Sequence, residues 1–122
     1  MCAILVTDDD QHIRILYKTI LEKEGYRVVL AENGQQALDC IEKEKIDLII
    51  LDIKLPDIDG MELLSKIVLK SAHPPVLISS AYPEYCEDGR SWIAEDFIVK
   101  SSDFMYLLVK VKEILIRKAK TA

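Results

Sequence analysis

The sequence has little of what marks several large classes of protein. Its longest apolar runs, such as residues 48–51, fall far short of the roughly 20 residues that a membrane-spanning helix needs. Its three cysteines, Cys2, Cys40 and Cys86, lie far apart and form no C-x-x-C pair, so neither a disulfide framework nor a zinc site is indicated. The formal net charge of -5 argues against a nucleic-acid-binding protein, because binding to phosphate backbones needs clustered Lys and Arg.

Other features of the sequence bear on the cellular location, on nucleotide binding and on the number of domains. No basic segment precedes the first apolar residues, so we expect no signal peptide and a cytoplasmic protein with idle thiols. No glycine-rich loop follows the first apolar run, which argues against a nucleotide-binding module, because such loops cradle phosphates. A chain of 122 residues can bury one core but is short for two, so we expect a single domain over residues 1–122.

Short apolar runs alternate with longer amphipathic segments along the chain. This alternation predicts an α/β protein, (βα)5, with a doubly wound five-stranded parallel sheet and the apolar run 46–51 at its centre. Pro83, Gly89 and scattered acids make 82–95 a short or irregular fourth helix. The predicted strands are 3–7, 27–31, 46–51, 76–79 and 97–99. The other predicted helices are 10–24, one that begins at Asn33 and Gly34, 60–70 and 102–118.

Polar residues follow four of the five predicted strands. Acids come directly after the first strand, at Asp8 and Asp9, and after the third, at Asp52. The fourth strand ends in two serines, and Lys100 follows the fifth. Because ligands of doubly wound sheets bind outside the carboxyl ends of the strands, we expect these side chains to meet at one edge.

Three carboxylates at one edge predict a magnesium site. Like charges a few ångströms apart repel unless a cation lies between them, and oxygen ligands of this kind suit Mg²⁺. A central carboxylate can also act as a nucleophile towards phosphorus, while a lysine and a hydroxyl neutralise the charge of the transferring group. These residues therefore indicate phosphoryl transfer to an aspartate.

Four segments resemble the motif regions of the receiver domains of two-component response regulators. They occur in the order typical of that family, and the similarity covers nearly the whole chain. The resemblance implies a flavodoxin-like or CheY-like fold and a signalling switch controlled by phosphorylation. The four segments are residues 4–10, 52–60, 79–82 and 96–100.

The resemblance assigns a role to each matching position. Asp52 matches the phosphoacceptor, and Asp8 and Asp9 match the acidic pair that binds Mg²⁺. Lys54, two residues after the acceptor, would supply a backbone carbonyl to the metal. Ser80 matches the switch hydroxyl, because it precedes an alanine as the hydroxyl residue of the family does.

Three further positions carry implied roles. Lys100 matches the lysine that contacts the phosphate, and Phe97 matches the aromatic residue that swings inward when the hydroxyl moves. Lys54 and Tyr82 match positions that flank the path of the hydrolytic water, so their bulk predicts slow autodephosphorylation. Ser101 stands where the family usually has a proline after the lysine, and the bond before that proline is often cis. The peptide bond between Lys100 and Ser101 is therefore either trans, with the loop placed differently, or a strained cis bond.

We expect a stand-alone receiver domain with no output domain, because too few residues follow Lys118 to form one. Its phosphoryl donor would be a histidine kinase or a histidine phosphotransfer protein, and its output would be binding to an unidentified downstream protein. We expect no direct contact with nucleic acid or membrane, and either a monomer or a dimer that depends on phosphorylation. Beyond taking and losing the phosphoryl group, no enzymatic activity is expected.

Two other functions are consistent with parts of the sequence. A degenerate receiver would bind partners without phosphorylation. An aspartate-nucleophile phosphatase of the haloacid dehalogenase type would usually carry a second aspartate two residues after the nucleophile, but that position is Lys54 here.

Structural roles also compete at several positions. Asp10 is expected to cap the first helix. Ser79 is a rival to Ser80, since side chains alternate along a strand and only one should face the pocket. The acids at 57 and 59 resemble the start of a calcium loop, but Glu62 stands where such a loop needs glycine, so a turn into a helix is predicted.

Overall fold

Five parallel strands form one sheet in the computed structural model, which describes residues 2–69, 73–80, 96–99 and 104–121. Their order is β2-β1-β3-β4-β5, and every neighbouring pair is parallel. The predicted parallel sheet is therefore confirmed, with the most hydrophobic strand at its centre. The strands are β1 (Ala3–Thr7), β2 (Arg27–Ala31), β3 (Leu48–Leu51), β4 (Val76–Ser80) and β5 (Asp96–Val99).

The central strand β3 shows why the sheet is covered on both faces. Its four residues are all apolar and buried. Leu48 and Ile50 pack into one hydrophobic cluster, and Ile49 and Leu51 pack into the other. Because successive side chains of a strand point to opposite faces, an uninterrupted apolar run requires helices on both sides of the sheet.

The helices start and stop at residues with recognisable local chemistry. Asp10, Asn33 and Asp59 each cap a helix by accepting a hydrogen bond from a backbone N–H of its first turn. Gly25 follows the first helix with φ of 91°, a conformation that favours glycine. The described helices are α1 (Gln11–Lys23), α2 (Gly34–Lys43), α3 (Gly60–Val68) and α4 (Phe104–Thr121).

Several predicted boundaries were wrong by a few residues. β3 begins at Leu48 instead of 46, because Asp47 pairs with Ala3 through its backbone N–H and also through its carboxylate. α3 ends at Val68 instead of 70, and β4 extends one residue further, to Ser80. β5 includes Asp96, one residue before its predicted start, and α4 (Phe104–Thr121) extends past its predicted end at 118. The predicted start of α4, at 102, lies outside the described residues. The predicted irregular helix over 82–95 lies outside the described residues.

The winding of the chain reverses at β1, which lies between β2 and β3. Thr7, the last residue of β1, is aligned with Ala31 on one side and Leu51 on the other. The residues that follow β1 and β3 therefore emerge side by side at the point where doubly wound sheets bind ligands. Within the described part of the chain, no helix combines the length and the apolar character needed to cross a membrane.

Candidate functional site

Three carboxylates meet where β1 and β3 end. Asp8, Asp9 and Asp52 can each offer an oxygen atom, and these atoms all lie within 4.8 Å of one another. Asp8 is 2% exposed and Asp52 is 6% exposed, whereas Asp9 faces solvent. The structure thus brings together the three acids that the strand-end rule predicted.

The backbone determines how these acids are placed. The N–H of Asp52 donates to the carbonyl of Thr7 at 2.9 Å, and the N–H of Asp8 donates to the carbonyl of Ala31 at 3.1 Å. These two bonds continue the β-ladders by one residue beyond β1 and β3, so the backbone of Asp8 and of Asp52 is held against the neighbouring strand. The Arg14 guanidinium also donates to the Asp8 carbonyl, at 2.7 Å.

The electrostatics of the cluster favour a divalent cation. Two of the three carboxylates are almost fully buried, and repulsion between like charges is costly in a buried site. The donor set consists of oxygen atoms alone, which suits Mg²⁺ better than a softer metal. The residues present therefore fit the predicted metal.

The two serines at the end of β4 have different surroundings. The Oγ of Ser79 lies 3.0 Å from the hydroxyl of Tyr17, a buried residue of α1. Because side chains alternate along a strand, Ser80 faces the opposite side of the sheet from Ser79. Ser80 is itself completely buried. This arrangement supports Ser80 as the switch hydroxyl, which remains a prediction.

The loop after Asp52 is closed tightly at its base. The N–H of Gly60 donates to the carbonyl of Ile53 at 2.7 Å, and Lys54 and Asp59 form an isolated antiparallel bridge. A Cβ atom on Gly60 would collide with the backbone of Asp52 and Ile53, so the close approach of loop and helix requires glycine. Lys54, whose carbonyl is a predicted metal ligand, lies at the base of this loop.

The remaining predicted site residues lie wholly or partly outside the described part of the chain. Three of them, Tyr82, Lys100 and Ser101, lie outside the described residues. The choice between a cis and a trans peptide bond after Lys100 therefore stays open. Phe97 lies on β5, aligned with Ile78 of β4, but its side chain is outside the description. The roles predicted for these residues therefore stay predictions.

Sequence reasoning missed one contact of the loop that carries Lys54. Asp57 was predicted only as part of a turn leading into α3. Its carboxylate accepts hydrogen bonds from the backbone N–H groups of Gly34 and Gln35, at the start of α2. No local pattern marks this contact, because Gly34 and Gln35 lie 23 and 22 residues before Asp57 in the sequence.

Cys2 and Cys40 are consistent with the expectation of idle thiols. Cys2 and Cys40 are both free and partly buried. Burial, with a contribution from Glu44, raises the pKa of the Cys40 thiol, which lowers the fraction of reactive thiolate. Cys86 lies outside the described residues.

Two known regulatory proteins are similar to this chain in sequence. Sporulation initiation phosphotransferase F of Bacillus subtilis is 44% identical over 81 residues, which make up 66% of this chain and 65% of that protein. The regulatory protein VanRc of Enterococcus gallinarum is 40% identical over 116 residues, or 93% of this chain and 50% of that protein. The chain thus spans only about half to two thirds of the length of these two relatives.

Solved structures match over a larger share of their length. The response regulator protein TrrA of Thermotoga maritima, in complex with Mg²⁺-BeF, has a TM-score of 0.90 and 41% identity. That match covers 93% of this chain and 99% of TrrA. TrrA in complex with the histidine kinase ThkA has a TM-score of 0.88 and 42% identity, covering 94% of this chain and 99% of TrrA.

A family model gives the most direct assignment. The model of the response regulator receiver domain matches residues 4–112, nearly the whole chain. The match includes the three clustered acids, the two serines and the loop 53–59. Together with the parallel sheet and the strand-end carboxylates, it establishes that this chain belongs to the response regulator receiver domain family.

Proposed function

We propose that this chain is a phosphorylation-dependent signalling switch that accepts a phosphoryl group on Asp52. The observation that carries the proposal is the cluster of Asp8, Asp9 and Asp52, whose oxygen atoms lie within 4.8 Å of one another. Asp52 suits the acceptor role because it follows the central strand, and the other two acids follow the neighbouring strand β1. Family membership supports the same assignment.

The proposed chemistry is a displacement at phosphorus. A carboxylate oxygen of Asp52 attacks the phosphorus of the donor, the bond from phosphorus to the donor breaks, and an acyl phosphate forms. The Lys100 ammonium and the Ser80 hydroxyl would stabilise charge on the phosphoryl oxygens. Attack by water on the same phosphorus releases phosphate and restores the carboxylate. The enzymatic part is limited to these two steps.

Mg²⁺ is the proposed cofactor. Asp8, Asp9, Asp52 and the backbone carbonyl of Lys54 would hold it. When bound, the ion supplies positive charge that offsets the carboxylates and the incoming phosphoryl group. The oxygen-only donor set and the complex of the related protein TrrA with Mg²⁺-BeF support this choice.

The proposed partners follow from the family and one relative. A histidine kinase or a histidine phosphotransfer protein would donate the phosphoryl group in the cytoplasm, and the complex of TrrA with ThkA supports a kinase partner. Phosphorylation would draw Ser80 towards the phosphoryl group and Phe97 inward, changing the surface that a downstream protein recognises. Because Phe97 has no hydroxyl, its movement would act through packing alone.

Intact-mass spectrometry after incubation with acetyl phosphate tests the proposal. The parent protein should gain one phosphoryl group in the presence of Mg²⁺ and none in EDTA. Asp52→Asn should gain none, since the amide is not a nucleophile. Asp39→Asn is the matched control: it removes a carboxylate of α2 that pairs with Gln35, and it should be phosphorylated like the parent.

The outcomes separate the proposal from its rivals. Phosphorylation of Asp52→Asn at the parent rate would place the acceptor elsewhere and overturn the assignment. No adduct from either acetyl phosphate or a phosphorylated histidine kinase, in a folded parent protein, would favour a receiver that binds partners without phosphorylation. Continuous turnover of a generic phosphate ester would favour a phosphatase.

A further inference from the structure

Asp57 joins the loop that follows Asp52 to the start of α2. One carboxylate oxygen accepts from the N–H of Gly34 at 2.8 Å, and the other accepts from the N–H of Gln35 at 3.0 Å. The first N–H groups of a helix have no partner within the helix, and the positive end of the helix dipole favours a negative charge there. The hydrogen bond from Gly34 accordingly lowers the pKa of Asp57.

Capping of α2 is therefore shared between two distant segments. Asn33, directly before the helix, accepts from the N–H of Gln36 at 2.8 Å. Asp57 satisfies the two preceding N–H groups, which the local cap does not reach. The helix end and the loop are thus joined by charge-assisted hydrogen bonds, which are stronger than bonds between neutral groups.

Packing reinforces this connection. A Cβ atom on Gly34 would collide with Cγ2 of Ile58, the residue after Asp57. Ile58 in turn packs against the hydrophobic cluster formed by α2, α3 and the sheet. Gly34 has no positive φ, so glycine is needed here for close approach and not for backbone conformation.

The loop is consequently held at two places. Its base is closed by the bond between Gly60 and Ile53 and by the bridge between Lys54 and Asp59. Its tip is held by Asp57 on α2. Lys54 is part of the base, three residues before Asp57 at the tip.

We propose that Asp57 is a positioning residue for the metal site. By fixing the tip of the loop on α2, it restricts Lys54, so that the backbone carbonyl of Lys54 stays in place for Mg²⁺ beside Asp52. The inference rests on the proposed function, since it takes Lys54 as a ligand. Without the contact, the loop samples more conformations, and binding Mg²⁺ requires that this freedom be lost again.

Magnesium binding measured without any phosphoryl donor tests the inference. Calorimetric titration with MgCl₂ should give about tenfold weaker binding for Asp57→Ala, the lower end of the loss expected when a residue that orients a metal ligand is removed. Asp57→Asn keeps one oxygen acceptor and should bind with intermediate affinity. In EDTA, amide hydrogen exchange of residues 53–59 should be faster in Asp57→Ala than in the parent.

Asn33→Ala is the matched control. It removes one hydrogen bond from the same helix end but leaves the contact between Asp57 and Gly34 in place. It should lower the stability of the protein in EDTA while changing Mg²⁺ affinity less than about twofold, since the loop stays anchored. This comparison separates loss of helix stability from loss of loop position.

The opposite results would overturn the inference. An Asp57→Ala protein that is folded and binds Mg²⁺ within about threefold of the parent would show that the contact does not position a ligand. So would equal losses in Asn33→Ala and Asp57→Ala. If Asp57→Ala does not fold, Asp57→Asn decides: a Mg²⁺ affinity and an exchange rate of residues 53–59 equal to those of the parent would overturn the inference. A folded parent that binds no Mg²⁺ would instead remove the metal from the proposed function, and the inference with it.

Discussion

The hydroxyl of Tyr17 on α1 lies 3.0 Å from the Oγ of Ser79 on β4, and both residues are buried. The Tyr17 ring also meets Phe104 of α4 edge-on, with ring centroids 6.5 Å apart. Ser79 therefore serves the layer between the sheet, α1 and α4. This contact distinguishes two adjacent serines that the sequence leaves as rivals for one role.

Replacing each serine separately with alanine should distinguish the switch hydroxyl from the structural one. Ser80→Ala should slow phosphorylation by acetyl phosphate about tenfold or more, because a hydroxyl donor to the phosphoryl oxygens is lost. Ser79→Ala should leave the rate within about twofold, since Ser79 is bonded to Tyr17. Intact-mass time courses at fixed Mg²⁺ measure both rates. A larger loss in Ser79→Ala than in Ser80→Ala would reverse the assignment.

Tyr17→Phe should destabilise the fold. The Ser79 hydroxyl would lose its partner inside the protein, which costs about 1–2 kcal/mol in the free energy of unfolding. Urea denaturation followed by circular dichroism measures the change. Tyr106→Phe removes the same atom from a ring that is 49% exposed and should have little effect. Equal losses in the two variants would argue against a contribution from the buried bond.

Thr7→Val should stabilise the protein. Thr7 is 1% exposed, and its hydroxyl finds no hydrogen-bond partner among the residues that the structure describes. Replacing it with a methyl group of similar shape removes an unsatisfied polar group and should raise the free energy of unfolding by about 1 kcal/mol. Thr19→Val is the control, because the Thr19 hydroxyl is exposed and donates to the Ile15 carbonyl. Destabilisation by Thr7→Val would indicate that the hydroxyl has a partner.

The stabilising effect of Asp57 should depend on pH. Its pKa is lowered from the ordinary 3.8, chiefly by the hydrogen bond from Gly34, so folding favours the charged form. The contribution is fully present above pH 3.8 and is lost as the pH falls through the lower pKa of the folded state. Thermal unfolding of the parent and Asp57→Asn should therefore differ at neutral pH and converge in acid.

Asn33→Ala provides the comparison for this pH dependence. Asn33 caps the same helix without a titratable group, so its difference from the parent should stay nearly constant over the same pH range. A difference between the parent and Asp57→Asn that does not shrink in acid would contradict a role for the charge.

The lifetime of the phosphorylated state should depend on Lys54 and Tyr82. Replacing them with smaller side chains, in Lys54→Asn combined with Tyr82→Ala, should open the path of water to the acyl phosphate and shorten its half-life. Purified phosphoprotein, followed by intact mass after removal of the donor, gives the half-life directly. A half-life that is unchanged or longer in the double variant would contradict a shielding role for Lys54 and Tyr82.

Much of the fold could be predicted from the sequence because its signals are local. The bounds of β1 and β2 agree with the prediction, since each is a short apolar run ended by polar residues or a turn. The caps at Asp10 and Asn33 likewise depend on neighbours within three residues. The start of β3 was missed because Asp47 is engaged by Ala3, a residue 44 positions away.

The candidate site divides in the same way. The sequence by itself determined that Asp8, Asp9 and Asp52 would meet, because carboxyl ends of parallel strands share one edge of a sheet. The single-domain organisation and the roles of Lys100, Phe97 and Tyr82 stay predictions. Only the tertiary structure decided that Ser79 bonds to Tyr17 and that Asp57 anchors its loop on α2. Both contacts join segments distant in sequence, and they depend on how helices pack on the sheet, which no local pattern encodes.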